Sequence, residues 1–504
     1  MLNKRGCGIL LHPTSLPGPG GIGSLGADAR RFIDLLCAMG MSYWQVLPLT
    51  PPACGNSPYS AFTAFGGNPF LIDLEQIACE GDLSPSSCSS SLPAERVAYD
   101  VVARTKMELL YQAGMNFLSR NRETPRALEF GHFCTTTPWL HDFALFMALK
   151  RRYNGSSWHL WPGDAAQPTA AMRLQLSQEL EHEIALQKYL QWQFSRQWQK
   201  LRGYATERGI AVIGDIPIFV AYDSAEVWSH RRHFLLDPEG KATVVAGVPP
   251  DYFSATGQLW GNPLYDWDVM EQNGYQLWID RFSATFALFD IVRIDHFRGF
   301  EAAWHIPADG KTAEKGEWVK GPGTKLFDAL RAAFGELPII AEDLGVITPE
   351  VLALRDRYNF PGMKILQFAF DAELDERDLP HNHVRHGVVY TGTHDNDTTK
   401  GWYASRSAAE RQEMCEYLGC SGVDGVGALT RAALMSVADT AIIPFQDILK
   451  LGSEARMNIP GTPFGNWEWR FSWEMLPENL ASSVRRQLER YARTGRGENT
   501  HEPR

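Results

Sequence analysis

The chain has 504 residues, 44 % of them hydrophobic, and a formal net charge of −11. This length allows two to four compact units or one large barrel with insertions, and the hydrophobic content is ordinary for a globular protein. The negative charge disfavours nucleic acid and anionic membrane surfaces as partners.

The N-terminus and the cysteines point to a cytoplasmic protein. Only a short apolar run precedes His12 and Pro13, which is not the pattern of a signal peptide. No segment approaches the roughly 18 apolar residues of a transmembrane helix. The eight cysteines lack metal-ligand or C-x-x-C spacing, so we expect reduced thiols. The polar tail from Thr494 onward is expected to be disordered and is assigned no function.

The N-terminal region predicts a β-α-β unit. Residues 7–11 form an apolar run, Ala27–Met39 has the apolar spacing of a helix that ends at Gly40, and residues 43–47 form a second apolar run. Two parallel strands with a right-handed crossover follow from this order.

Six more short apolar runs continue this rhythm, with helical patterns between most of them. They span residues 210–214, 291–294, 338–341, 364–368, 387–390 and 441–444. Eight buried strands alternating with helices predict an α/β fold of the (β/α)₈ barrel type, with its chemistry at the carboxyl ends of the strands. An open doubly wound sheet is the structural alternative, but the chain has neither a G-x-G-x-x-G motif after the first strand nor a P-loop.

We predict one catalytic barrel domain over residues 1–504 with two inserted subdomains. The first, at about 50–207, is mostly helical from Asp73 to Glu207. The second, at about 216–285, is a loop rich in aromatic residues, Gly and Pro that could cover the barrel mouth.

The fourth predicted strand ends in Arg293 and Asp295, the pair of residues that most strongly indicates catalysis. Side chains alternate along a strand, so Arg293 and Asp295 share one face while Ile294 and His296 take the other. A neighbouring guanidinium keeps a partly buried carboxylate ionised, as a covalent nucleophile requires. A purely structural ion pair is the other interpretation of this pattern.

Two further strand ends bear carboxylates. Glu342 shares a face with Ile340, whereas Asp343 would point away and position the next segment. Since carboxylates that converge on one mouth cannot all ionise without cost, Glu342 is the expected proton donor. Alone, it could equally be a helix cap. Asp395 follows the seventh strand, but Asp397 lies two residues on and could compete for its place.

Seven motifs together resemble the amylomaltase family of 4-α-glucanotransferases, which belongs to the α-amylase clan. In chain order they are HPTSLPG (12–18), GNSPYS (55–60), GDIPIFV (214–220), GQLWGNPLYDW (257–267), VRIDHFRGF (292–300), AEDLG (341–345) and GTHDNDT (392–398). The resemblance covers nearly the whole chain and implies a (β/α)₈ barrel that moves α-1,4-glucan segments with retention of configuration.

The resemblance also implies site roles. Asp295 would be the nucleophile, Glu342 the acid/base and Asp395 the transition-state stabiliser. Arg293 and His394 would line the donor site, and four further residues are expected substrate contacts: Tyr59, Asp215, Trp260 and Asn458. Taken singly, His394 could be a structural hydrogen-bonding residue and Trp260 ordinary core packing.

The expected substrates are maltodextrins and related α-glucans. We expect neither a cofactor nor a metal, and the oligomeric state stays open. In a retaining enzyme the carboxyl groups of Asp295 and Glu342 should lie about 5 to 5.5 Å apart. The alternatives are an α-glucan hydrolase with the same three carboxylates and a non-catalytic glucan-binding protein.

Overall fold

The computed structural model of the chain describes residues 4–53, 55–88, 95–120, 123–250, 254–371 and 376–495. The C-terminal tail, of which we predicted disorder, lies outside the described residues from position 496 onward. Strands and helices alternate along most of the described chain.

The described residues form twelve strands. In chain order they are β1 (Gly6–Leu10), β2 (Tyr43–Gln45), β3 (Ala211–Pro217), β4 (Val244–Val248), β5 (Gln258–Pro263), β6 (Ile291–Asp295), β7 (Ala302–Pro307), β8 (Glu317–Lys320), β9 (Ile339–Ala341), β10 (Gly362–Ile365), β11 (Gly387–Tyr390) and β12 (Thr440–Pro444).

The α-helices cover the outside of the barrel and fill the long connections between strands. Those in the described residues are α1 (Ala27–Met39), α2 (Leu74–Cys79), α3 (Tyr99–Leu118), α4 (Pro125–Thr136), α5 (Leu140–Arg152), α6 (Ala170–Glu179), α7 (Glu181–Glu207), α8 (Ala225–Ser229), α9 (Trp267–Gln272), α10 (Gln276–Leu288), α11 (Thr324–Phe334), α12 (Pro349–Arg357), α13 (Thr399–Ser405), α14 (Ala408–Leu418), α15 (Gly425–Met435), α16 (Phe445–Ile448) and α17 (Leu480–Arg490).

Eight parallel strands form the barrel, in the order β10-β11-β12-β1-β2-β3-β6-β9. The backbone N–H of Ala341 in β9 donates to the carbonyl of Pro361, just before β10, at 3.0 Å, which joins the two ends of the sheet. Strands β1, β11 and β12 are buried along their whole length, as expected of strands covered by helices. The predicted (β/α)₈ barrel is confirmed.

The β-α-β unit at the N-terminus follows from local sequence. Helix α1 buries Phe32, Ile33 and Leu36 on one stripe and ends at Gly40, whose φ of 78° is the left-handed conformation of a helix C-cap. Strands β1 and β2 then pair in parallel.

Several barrel strands differ from their predicted bounds by one to three residues, and the sixth shows why. The sixth was expected at residues 364–368, but β10 ends at Ile365 and a 3₁₀ turn occupies Phe368–Phe370. Leu366 and Phe370 stay buried beyond the strand end. The apolar run therefore continues through the turn, and hydrophobicity alone could not fix where the strand stops.

Two long connections leave the barrel. Six helices, α2 to α7, lie between β2 and β3. The second predicted insertion is not only loop, because β4 and β5 form an antiparallel sheet with β7 and β8, in the order β5-β4-β7-β8. This sheet could not be predicted from the inserted segment alone, because two of its strands, β7 and β8, follow β6 in the chain.

Candidate active site at the carboxyl ends of the strands

An arginine shared by two aspartates occupies the centre of the barrel mouth. Arg293 Nη1 lies 2.9 and 2.7 Å from the two carboxylate oxygens of Asp215, a residue of β3. Arg293 Nη2 lies 3.0 Å from Asp295 Oδ1. The Arg293 and Asp215 side chains are almost fully buried. The pattern of β6 thus places Arg293 and Asp295 on one face, as predicted.

The remaining contacts of this cluster fix the arginine and Tyr59. Arg293 Nε donates to the Met363 sulfur at 3.3 Å, and the Tyr59 hydroxyl donates to Asp215 Oδ2 at 2.7 Å. Burial, reinforced by Asp215, raises the pKa of Tyr59 well above its usual value, so the phenol stays a neutral donor. Its proton and the guanidinium together satisfy the buried Asp215 carboxylate.

The Asp295 carboxylate is subject to opposing influences. Its pKa lies above the usual value of an aspartate, because burial, with the nearby Asp215 adding to it, outweighs the opposing effect of Arg293. The side chain keeps about a third of its surface exposed, so it faces the open mouth while its other side meets the guanidinium.

Glu342 follows β9 and lies in a different environment. Its Oε2 accepts the backbone N–H of His296 at 2.6 Å, and its Oε1 accepts the backbone N–H of Leu344 at 2.8 Å. Burial raises its pKa to about 7; Arg293 opposes this rise and the negative charge of Asp295 adds to it. A carboxyl group with this pKa can both give and take a proton near neutral pH.

Asp343 points away from the mouth, as the alternation predicted. Its Oδ1 accepts the backbone N–H of Met363 at 2.7 Å, and its Oδ2 forms an ion pair with Arg355 of α12. Asp343 therefore fixes the start of β10 and leaves Glu342 as the carboxyl group of this strand end that faces Asp295.

Asp395 is oriented by groups from a distant loop. Asn458 Nδ2 donates to Asp395 Oδ1 at 2.7 Å, and His394 Nε2 lies 3.4 Å from Oδ2. Arg456 Nη2 donates to the Asp395 carbonyl at 2.7 Å. Asp397 instead accepts the Ser453 hydroxyl at 2.7 Å. The two aspartates thus have different partners, and the role of Asp395 stays a prediction.

Aromatic rings line both sides of the mouth. Tyr59 stacks on His394 with ring centroids 5.0 Å apart and an interplanar angle of 16°, and Trp467 packs against both rings. On the other side, Trp260 meets the His296 ring edge to face at 4.8 Å. Trp260 is 38 % exposed, so it is a surface of the mouth rather than core packing.

Two cavities adjoin these groups. One of about 430 Å³ lies behind His394 and reaches His12 and Gln446. The other, of about 540 Å³, lies beside Tyr59 and Asp215 and is mostly apolar. The first cavity thus adjoins the loop that carries His394, and the second extends from Tyr59 towards α10.

Neither a metal cluster nor a membrane span is found in the part of the chain that the structure describes. Within the described ranges there is no group of three or more His, Cys, Asp or Glu side chains that could hold a metal ion. Among the same residues, no helix is both long and apolar enough to cross a membrane.

Comparison with known proteins decides the family. Residues 11–476 match the family model of 4-alpha-glucanotransferase, glycoside hydrolase family 77. The chain belongs to this family. A 4-alpha-glucanotransferase of Synechocystis sp. is 50 % identical to this glucanotransferase over 501 residues, covering 98 % of this chain and 99 % of that protein. The Thermus thermophilus 4-alpha-glucanotransferase is 51 % identical over 488 residues, with coverages of 95 % and 97 %.

Solved structures agree with this assignment. The amylomaltase of Streptococcus agalactiae, solved in complex with acarbose, superposes on this glucanotransferase with a TM-score of 0.93. The two share 36 % identity, and the match covers 97 % of this chain and 100 % of that one. The amylomaltase of Corynebacterium glutamicum, at 17 % identity and a TM-score of 0.76, shares the fold. The expected family and its 4-alpha-glucanotransferase activity are confirmed.

The structure brings together all nine residues singled out in the sequence: Arg293, Asp295, Asp215, Tyr59, Glu342, Trp260, His394, Asp395 and Asn458. Residues that sequence reasoning missed also lie here. Arg456 stands two positions before Asn458, and Trp467 follows the Gly-Asn turn after it. Only the cluster of aromatic and polar residues in that segment could have indicated them.

Proposed function

We propose that this glucanotransferase works by a retaining double displacement. It would move an α-1,4-glucan segment from a maltodextrin donor to the 4-hydroxyl of glucose or of another glucan. The observation that carries this proposal is the contrast between two neighbouring carboxyl groups. Asp295 forms an ion pair with Arg293, whereas the oxygens of Glu342 accept hydrogen bonds from two backbone amides and its pKa is raised to about 7.

In the first half-reaction, Asp295 attacks the anomeric carbon while Glu342 protonates the departing glycosidic oxygen. The C–O bond to the leaving chain breaks as a bond to the Asp295 carboxylate forms, giving a β-linked glycosyl-enzyme. The Arg293 ion pair supports Asp295 as the ionised nucleophile, and burial supports Glu342 as the protonated acid.

In the second half-reaction the roles reverse. Glu342, now a carboxylate, takes the proton of the acceptor 4-hydroxyl, and that oxygen displaces Asp295 from the anomeric carbon. Two inversions restore the α configuration. The acid/base must therefore be used in both ionisation states, which a pKa of about 7 allows near neutral pH.

Asp395 would bind the hydroxyls of the sugar at the reacting centre, with contacts that tighten as the ring flattens towards an oxocarbenium ion. Its two orienting partners, Asn458 and His394, support this role. Arg293, Asp215 and Tyr59 would form the floor of the donor site, and Trp260 an aromatic surface for the acceptor. The acarbose complex of the Streptococcus agalactiae amylomaltase supports an α-glucan as the ligand.

Transfer instead of hydrolysis requires that water be kept from the intermediate. The segments around Tyr59 and Trp260 would cover the barrel mouth.

The inserted segments at about 50–207 and 216–285 would be subdomains of a single catalytic domain. Six cysteines are free, namely Cys7, Cys37, Cys79, Cys134, Cys415 and Cys420, and we place the enzyme in the reducing cytoplasm.

Incubation with maltotriose tests the transfer reaction. The native chain should give glucose together with a ladder of longer oligosaccharides, and Glu342→Gln should lose that ladder. Asp343→Asn is the matched control, since its carboxylate faces Arg355 and not the mouth. Glucose and maltose without longer chains would indicate a hydrolase, and binding without turnover a non-catalytic glucan-binding protein.

A glycosyl fluoride donor separates the two catalytic roles, because fluoride leaves without protonation. With α-maltotriosyl fluoride, Glu342→Gln should still form a glycosyl-enzyme that mass spectrometry detects as one added maltotriosyl group. Asp295→Asn should form none. A glycosylated Asp295→Asn chain would show that another residue is the nucleophile.

A further inference from the structure

His296, the residue after Asp295, has an unusual backbone. Its φ of 54° and ψ of 50° lie in the left-handed region, which only a few per cent of non-glycine residues adopt, with Asn, Asp and His more frequent there than the others. The strand pattern therefore breaks directly after Asp295, and the chain turns sharply into the segment Phe297–Phe300.

This turn aims a backbone donor at the acid/base. The His296 N–H donates to Glu342 Oε2 at 2.6 Å. Two backbone bonds tie the same turn to the Glu342 backbone: Glu342 N–H donates to the Ile294 carbonyl at 3.1 Å, and Phe297 N–H donates to the Glu342 carbonyl at 3.2 Å. The left-handed torsions of His296 let the chain turn between these two anchored peptide groups, so that its N–H stays opposite Glu342 Oε2.

Packing holds the His296 ring in place. The ring is buried between Trp260, at 4.8 Å, and Phe219, at 6.3 Å, and its Nε2 has no hydrogen-bond partner among the described residues. Gly299 leaves the space that it needs, since a Cβ there would meet Ile218 Cδ1 at 2.8 Å and His296 Cδ2 at 3.2 Å. Side-chain packing thus supports a left-handed backbone, which histidine adopts more often than most side chains but which is still uncommon outside glycine.

We propose that His296 is a positioning residue for the acid/base: its packed ring holds a left-handed backbone whose N–H fixes Glu342 Oε2 and stabilises the ionised carboxylate. This inference rests on the proposed function, in which Glu342 must be ionised to activate the acceptor. It adds a role for His296 that acts through the main chain and involves no contact of its ring with the reacting atoms.

The charged groups near His296 and Glu342 indicate that His296 acts on Glu342 through its backbone amide and not through a charge on its ring. Arg293 and Asp295 face Glu342, and Arg298 faces the imidazole. Burial lowers the pKa of His296 to about 3, with Arg298 adding to the effect, so the ring is neutral wherever the enzyme works. Its replacement removes no charge from the site.

Three substitutions separate the backbone from the ring. His296→Gly and His296→Asn lose the imidazole but accept a left-handed backbone, whereas the β-branched side chain of His296→Val opposes it. The readout is the alkaline limb of the pH profile of kcat/KM for the maltotriose donor, which reports the pKa of the acid in the free enzyme. Loss of the N–H donor should move the alkaline limb to higher pH by about 1 unit, since the hydrogen bond favours the ionised form of Glu342.

In the Gly and Asn variants the alkaline limb should lie at nearly the same pH as in the native chain. In the Val variant it should lie at a higher pH. If Val prevents folding, His296→Ala replaces it with the same expectation. Asn359→Val is the control, because Asn359 is also left-handed, with φ of 55°, at the end of α12; it should lose thermal stability and keep the native limb.

Two results would overturn the inference. One is a folded Val or Ala variant with the native limb; the other is a Gly variant that shifts as far as Val, which would assign the effect to the ring. The proposed function has separate tests. It would be contradicted if the native chain formed no ladder of longer oligosaccharides from maltotriose, or if Glu342→Gln still formed that ladder.

Discussion

Arg293 contacts Asp215 with Nη1 and Asp295 with Nη2, so one buried guanidinium serves two carboxylates from neighbouring strands. Because β3 and β6 pair in parallel with Asp215 opposite Arg293, the inner faces of both strands bring these groups together. Asp295 therefore shares its cation with a buried anion, and its acidity depends on both.

Asp215→Asn should move the acidic limb of kcat/KM to lower pH. Asp215 raises the pKa of Asp295, so removing its charge lets Asp295 ionise at a lower pH, by about 1 unit. The free energy of unfolding should fall by about 3 kcal/mol, because a buried ion pair loses one partner. Both are read from pH–rate profiles and urea unfolding. Asp397→Asn, whose side chain meets Ser453 instead, should keep the native acidic limb.

Glu342→Gln should gain stability relative to the native chain as the pH rises. Burial raises the pKa of Glu342 from 4.5 to about 7 in the folded state, so above pH 4.5 the unfolded chain ionises more readily and the native fold loses stability until about pH 7. The difference in the free energy of unfolding between variant and native should grow by about 3 kcal/mol over this window. Urea unfolding at pH 4 and pH 8 measures it, and a constant difference would contradict the raised pKa.

Asn458→Ala should lower kcat more than it raises KM. The amide of Asn458 orients the Asp395 carboxylate at 2.7 Å, and a hydrogen bond to a charged group contributes about 1.5 to 3 kcal/mol. Loss of that orientation in the transition state corresponds to a decrease of roughly 10- to 100-fold in kcat. Ser453→Ala removes a neighbouring bond to Asp397 and should reduce kcat by less than about threefold. Equal losses in both variants would argue for a general loop effect.

Asp343→Asn should weaken the fold and leave most of the activity of the folded enzyme. Its carboxylate pairs with Arg355 and accepts the Met363 N–H, so the free energy of unfolding should fall by about 3 kcal/mol. Asp356, the second and largely exposed partner of Arg355, gives the comparison: Asp356→Asn should cost under about 1 kcal/mol. Urea unfolding compares the two variants, and similar losses in both would refute the assignment of Asp343 as the buried anchor.

The seven family motifs and the alternation of side chains foretold much of the site. Asp295 and Glu342 stand directly after short apolar runs and Asp395 five residues after one, and parallel strands in a barrel bring such ends to one mouth. Successive side chains on a strand face opposite ways, so the sequence of β9 predicted that Glu342 faces the mouth and Asp343 points away. The loop after β11 does not follow this alternation, so the sequence alone could not tell Asp395 from Asp397.

The sequence by itself determined the eight barrel strands, the faces that Asp295 and Glu342 take, and the family, because these depend on local periodicity and on motifs that can be seen in a linear chain. Only the tertiary structure decided the sharing of Arg293 between Asp215 and Asp295, the second sheet that joins β4 and β5 to β7 and β8, and the left-handed turn at His296. Each of these depends on contacts between segments far apart in the chain, and the acidity of a carboxyl group depends on burial and charges that only the folded chain sets.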